Sequence, residues 1–91
     1  MVSFSYVVTH PLGLHARPCF AISGAADDYA CAVRVSKNGG PAVDASSRLD
    51  LVSLEVACGD TLSFACEGPD EGQAAEELAE LVAALDADRD E

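Results

Sequence analysis

Cys31-Ala32-Val33-Arg34-Val35-Ser36-Lys37-Asn38-Gly39-Gly40-Pro41 reads as a strand running into a reversal. Cys31, Val33 and Val35 alternate with Ala32, Arg34 and Ser36, the period-2 pattern of an extended segment with one face turned to a core. Asn and Gly accept positive φ at little cost, so Lys37-Asn38-Gly39-Gly40 predicts a hairpin turn. A short strand over residues 42–45 should follow. Pro41 cannot donate to a ladder and so puts that strand at an edge. Hairpin partners are antiparallel, and this decides the kind of sheet.

Working outward, Val2, Phe4, Tyr6 and Val8 alternate with Ser3, Ser5 and Val7, giving a first strand over residues 2–8. His10-Pro11-Leu12-Gly13 breaks it. Residues 16–26 read as a helix with Pro18 in its first turn, where a missing N–H costs nothing, and with Gly24 weakening its end. Ser47-Arg48-Leu49-Asp50 fits a capping box that opens a short helix over residues 49–54. Leu62, Phe64 and Cys66 alternate with Ser63 and Ala65 as a fourth strand. Gly68-Pro69-Asp70 starts a last helix, with Ala74, Leu78, Leu81, Val82 and Leu85 on one stripe and Glu76, Glu77 and Glu80 away from it. The order β-α-β-β-α-β-α predicts an α+β domain, a four-stranded antiparallel sheet with helices packed on one face. We expect a single domain over residues 1–86 and an acidic C-terminal tail over residues 87–91, with the chain fraying into solvent from Asp86.

Composition narrows the function. Ninety-one residues leave no room for a separate catalytic domain. Hydrophobic residues make up 49% and charged residues 23%, as in a globular chain, and with no Trp the core must be built mostly of Val, Leu and Ala. The formal net charge of −11 argues against nucleic acid, whose phosphates demand cations. Ten of the sixteen acids lie from Glu67 onward. No signal-peptide pattern and no membrane-length apolar run is present, so a cytoplasmic chain with no direct membrane insertion is expected. Cys19, Cys31, Cys58 and Cys66 form no Cys-x-x-Cys pair, and they read as reduced thiols acting as small core residues. No metal-ligand spacing and no cofactor motif stands out.

Gly13-Leu14-His15-Ala16-Arg17-Pro18 carries the chemistry. It sets a histidine where a glycine-containing loop meets a helix start. The positive end of a helix leaves a neutral ring nitrogen available as a nucleophile. Once a phosphoryl group is attached, the backbone N–H groups of Ala16 and Arg17 can hold its oxygens, and the Arg17 side chain can add positive charge. His10, in the preceding turn, reads as a surface residue. Cys19, in the first turn, reads as a small packing residue, with a thiol activated by the helix end as the alternative.

Gly-Leu-His-Ala-Arg-Pro at residues 13–18, at this distance from the start of a chain of this length, resembles the active-site signature of HPr. HPr is the histidine-containing phosphocarrier family of the bacterial phosphoenolpyruvate-dependent sugar phosphotransferase system. The resemblance implies the HPr open-faced β-sandwich. It implies that enzyme I passes a phosphoryl group to Nδ1 of His15, that Arg17 accompanies the group, and that an enzyme IIA-type protein receives it. Such a chain is a transferase-like carrier with a phosphohistidine intermediate, not an independent turnover enzyme, and it is expected to work as a monomer.

The resemblance also implies a regulatory serine at Ser47, a target for a Ser kinase, beside a partner surface of Arg48, Leu49 and Leu51. The residue-level reading of Ser47 is simply a helix N-cap. Several positions depart from the family pattern. Arg48 stands where a large aliphatic is usual, Ser46 replaces a commonly basic residue, and the first helix offers Gly24, Asp27 and Asp28 in place of lysines. Either the partners have changed or high working salt screens the charge. The alternatives are a regulatory module acting through Ser47 on a kinase or transcription regulator, and a specialised nitrogen-related or dihydroxyacetone-kinase-related carrier. An unrelated small ligand-binding domain would treat residues 13–18 as a chance match.

Overall fold

Period-2 alternation decides which side chains turn inward, and the computed structural model shows the outcome for residues 1–87; the remainder of the acidic tail lies outside the described residues. The elements are β1 (Val2–Val7), α1 (Ala16–Asp27), β2 (Ala32–Lys37), β3 (Val43–Asp44), α2 (Arg48–Ser53), β4 (Thr61–Glu67) and α3 (Glu71–Ala87). They form one antiparallel sheet in the order β1-β4-β2-β3. The predicted order of elements and the helix-covered sheet are both present.

The register places Phe64 between Phe4 on β1 and Val35 on β2. Phe4 and Phe64 stack with ring centroids 4.8 Å apart and planes 6° from parallel. Val33, Val35, Leu62, Phe64 and Cys66 are buried beneath Ile22, Leu78 and Val82 of the helices. Each such side chain contributes about 1.5–3 kcal/mol on leaving water. Along the opposite face run Ser3, Ser5, Ser63 and Arg34, with the Ser5 and Ser63 hydroxyls 3.4 Å apart.

The predicted reversal forms as read. Asn38 at φ 52° and Gly39 at φ 76° occupy the left-handed region, and Gly40 N–H donates to the Lys37 carbonyl at 2.9 Å. Asn38 also donates to Asp60 and accepts from Thr61 N–H, which ties the turn to the start of β4. The β3 strand is only two residues long and lies at the sheet edge, as Pro41 requires. The α1 helix runs through Gly24 to Asp27, one residue beyond the expected end.

The α2 helix runs over Arg48–Ser53, one residue earlier at each end than expected, with its cap where the capping box put it. Ser47 is its N-cap, with Oγ accepting the Asp50 N–H at 3.3 Å. Ser47→Ala should therefore lower stability by about 1 kcal/mol, about 4–8 °C in thermal midpoint for a domain of this size. Calorimetry of the two chains checks this.

Asp86 corrects the expected fraying point. It is buried, at 7% exposure, and the helix continues past it to Ala87. It follows Leu78 and Val82 at four-residue steps and so stays on the inward stripe. The cysteines divide. Cys19 and Cys66 are core residues as expected, whereas Cys31 is half-buried and Cys58 is exposed; all four are free thiols.

Candidate functional site

Gly13 fixes the position of the loop. At φ +67° a Cβ built on it would lie 2.2 Å from the Val56 carbonyl oxygen and 2.7 Å from Ala57 Cα. Only glycine lets the two backbones approach so closely. Leu14 N–H donates to that same Val56 carbonyl at 3.0 Å, so the loop lies pinned against the α2–β4 connection.

His15 comes next, as the N-cap of α1, with extended backbone at φ −85° and ψ −172°. Its carbonyl accepts the Cys19 N–H at 3.2 Å, which closes the first turn. Its imidazole makes no capping hydrogen bond and is half-exposed. The ring is therefore displayed at the helix end rather than spent on capping it. Ala16 and Arg17 are exposed in the first turn, Pro18 is buried beneath them, and no acid lies in that turn. The backbone N–H groups of such a turn point out of the helix end and favour an anion there.

Cys19 is fully buried, and its Sγ donates to the Leu14 carbonyl at 3.6 Å. Burial pushes the thiol up from its ordinary value, so the packing reading holds and the activated-thiol alternative falls.

Two residues carry more than the sequence suggested. His10 is half-buried, its Nδ1 accepts the Leu12 N–H at 3.0 Å, and its ring centroid lies 5.5 Å from that of His15 at a 58° tilt. Asp86 holds the backbone beneath His10. Its carboxylate accepts from Thr9 N–H at 2.9 Å, Thr9 Oγ1 at 2.6 Å, His10 N–H at 2.8 Å and Tyr6 Oη at 2.7 Å. Burial alone would raise the Asp86 carboxyl. The hydrogen bonds from Thr9, Tyr6 and His10 outweigh it and hold the group below its ordinary value. The sequence signal for Asp86 was its place on the α3 stripe. No sequence signal tied it to His10.

The exposed apolar side chains include Leu12 in the loop before α1, Phe20 on α1, and Leu49 and Val52 on α2. The Arg48 guanidinium lies over the Phe20 ring, 5.1 Å from its centroid. Arg48 and Leu49 are thus surface residues, Leu49 at 83% exposure. Leu51, expected on the same surface, is a core residue at 1% exposure, because two steps along a helix turn a side chain to the opposite face. Among the described residues no group of three or more His, Cys, Asp or Glu side chains could hold a metal ion, and no helix is long and apolar enough to cross a membrane.

Comparisons with known proteins agree with this geometry. The family described as "PTS HPr component phosphorylation site" matches residues 2–84. Phosphocarrier protein HPr of Pseudomonas aeruginosa is 34% identical over 82 residues, covering 90% of this chain and 91% of that one. HPr of Cupriavidus necator is 32% identical over 83 residues, covering 91% and 92%. Among solved structures, HPr of Bacillus anthracis superposes with a TM-score of 0.79 at 29% identity, over 88% of this chain and 94% of that one. A histidine-containing phosphocarrier of Mycoplasma shares the fold at a TM-score of 0.89 and 19% identity, over 98% of this chain and all of that one. With a histidine displayed at the start of α1 and a family match across nearly its whole length, the chain belongs to the HPr family, the phosphocarriers of the phosphotransferase system.

Proposed function

We propose that His15 accepts a phosphoryl group from phospho-enzyme I and hands it to an enzyme IIA-type protein, with the chain acting as a cytoplasmic monomer. The observation that carries this reading is the His15 ring at the N-cap of α1, partly exposed and unspent on capping. On transfer in, a bond forms between the Nδ1 of His15 and phosphorus as phosphorus leaves its donor atom. On transfer out, that bond breaks as the acceptor attacks. Backbone N–H groups of Ala16 and Arg17 meet the phosphoryl oxygens, and the Arg17 guanidinium adds charge beside them. A carrier must also release the group, and a few hydrogen bonds at an exposed helix end suit that better than a closed pocket.

Two features oppose regulation through Ser47. Its hydroxyl already caps α2, and a phosphate there would stand beside Asp50 in the same turn. The exposed Arg48, Leu49, Phe20 and Val52 on α1 and α2 supply a contact surface for the relay partners. The −11 charge should slow association with acidic partners at low salt.

Intact mass after incubation with phosphoenolpyruvate and the host's own enzyme I tests the reading. We expect one acid-labile phosphoryl group, absent from His15→Ala and retained in Ser47→Ala. An unmodified wild-type chain at every salt concentration would sink the proposal. An acid-stable phosphate lost in Ser47→Ala would favour the regulatory module instead.

A further inference from the structure

We propose that His10 is a second phosphoryl-binding group, donating its Nε2–H to the phosphoryl group carried on His15. The inference rests on the carrier reading and deepens it. Three observations converge on it. Leu12 N–H donates to His10 Nδ1 at 3.0 Å, so that nitrogen is an acceptor and the neutral ring carries its proton on Nε2. No acceptor among the described residues takes that proton. The two ring centroids lie 5.5 Å apart at a 58° tilt, which brings the His10 imidazole within a few ångströms of the ring that would carry the phosphoryl group.

The backbone under His10 is also held from below. Asp86 takes its N–H at 2.8 Å and the neighbouring Thr9 N–H and hydroxyl at 2.9 and 2.6 Å, while Tyr6 Oη braces the same carboxylate at 2.7 Å. A tie between loop and helix would need only those backbone groups. The imidazole adds a donor next to the reactive ring, on a backbone that has little freedom to drift. A donor fixed in place before the anion arrives needs no reorganisation to receive it. No proton changes hands, because the neutral His10 ring simply donates a hydrogen bond to an anionic oxygen.

His10→Asn separates this role from a structural one. An Asn side-chain oxygen can still accept the Leu12 N–H in a turn of the same shape, but the ring Nε2–H is gone. The measurement is the phosphorylated fraction at fixed ratios of phosphoenolpyruvate to pyruvate with enzyme I present. His10→Asn should move the equilibrium about tenfold toward the unphosphorylated chain, the scale of one charge-assisted hydrogen bond. His10→Asp, which keeps the turn but adds a negative charge, should move it further. Thermal midpoints should stay close to wild type in both. In long-range 1H–15N spectra the wild-type His10 should show the Nε2–H tautomer, and its ring signals should shift when His15 is loaded. Equal equilibria in wild type and His10→Asn, or His10 ring signals that loading leaves unmoved, would overturn the inference while the carrier reading stands. A wild-type chain that never loads would overturn both.

Discussion

Gly13→Ala should cost the domain about 3–5 kcal/mol, among the largest effects of a single methyl group and a large part of a small domain's stability. The new Cβ would meet the Val56 carbonyl oxygen at 2.2 Å and Ala57 Cα at 2.7 Å. Both are backbone atoms and cannot swing aside as a side chain can. The left-handed φ of +67° adds about 1–2 kcal/mol for an L-residue. Urea denaturation measures the loss. The matched control is Gly24→Ala in α1, where a Cβ meets nothing within 4 Å and the helix should gain about 0.5–1 kcal/mol. The Gly13→Ala chain should also load poorly with phosphoryl group, because Gly13 positions the loop that leads to His15.

Asp86→Ala should cost about 3 kcal/mol, because two backbone N–H groups and two hydroxyls lose their shared acceptor. The effect depends on pH with a definite sign. The folded-state carboxyl lies below its ordinary value, despite burial, because the hydrogen bonds favour the charged form. Its stabilisation is complete above the unfolded-chain value of about 3.9 and is lost as pH falls through the folded value. Asp86→Asn lacks this titration. Its deficit against wild type should be full at neutral pH and shrink in strong acid, as read from urea midpoints across that range. Asp44, Asp60 and Glu71 are likewise held low, by hydrogen bonds from Ser46, Ala57 and Gly68, so the whole domain should weaken in acid. A pH-independent deficit in Asp86→Asn would contradict this account of the carboxylate.

Local rules were legible wherever a short stretch settles the outcome. The turn at Asn38-Gly39, the edge strand after Pro41, the Ser47 cap and the inward faces of β1, β2 and β4 all follow from nearest neighbours in the chain. Strand order did not, since alternation tells which face is buried but not that β4 sits between β1 and β2. Leu51 was misplaced because Leu49 and Leu51 look alike in a row of aliphatics, while only one of them can face the core from a six-residue helix. In the candidate site, the Gly-Leu-His-Ala-Arg-Pro stretch placed His15 at the helix start, because loop, cap and first turn are contiguous. His10 and Asp86 stayed hidden for the opposite reason. Each reads as an ordinary polar residue until packing brings the far ends of the chain together.

That same packing sets the timing of birth of a working carrier. Thr9 and His10 precede every helix of the domain, yet their backbone anchor lies 77 and 76 positions later, on α3. Contacts that span so much of the chain form late, after the loop-closure entropy between them has been overcome. A chain still emerging from the ribosome therefore exposes Thr9 and His10 well before their anchor exists, and this part of the loop leading to His15 is tied down only when α3 docks. Under the proposed carrier function, charging then reports finished folding, with half-made chains excluded from the phosphoryl traffic.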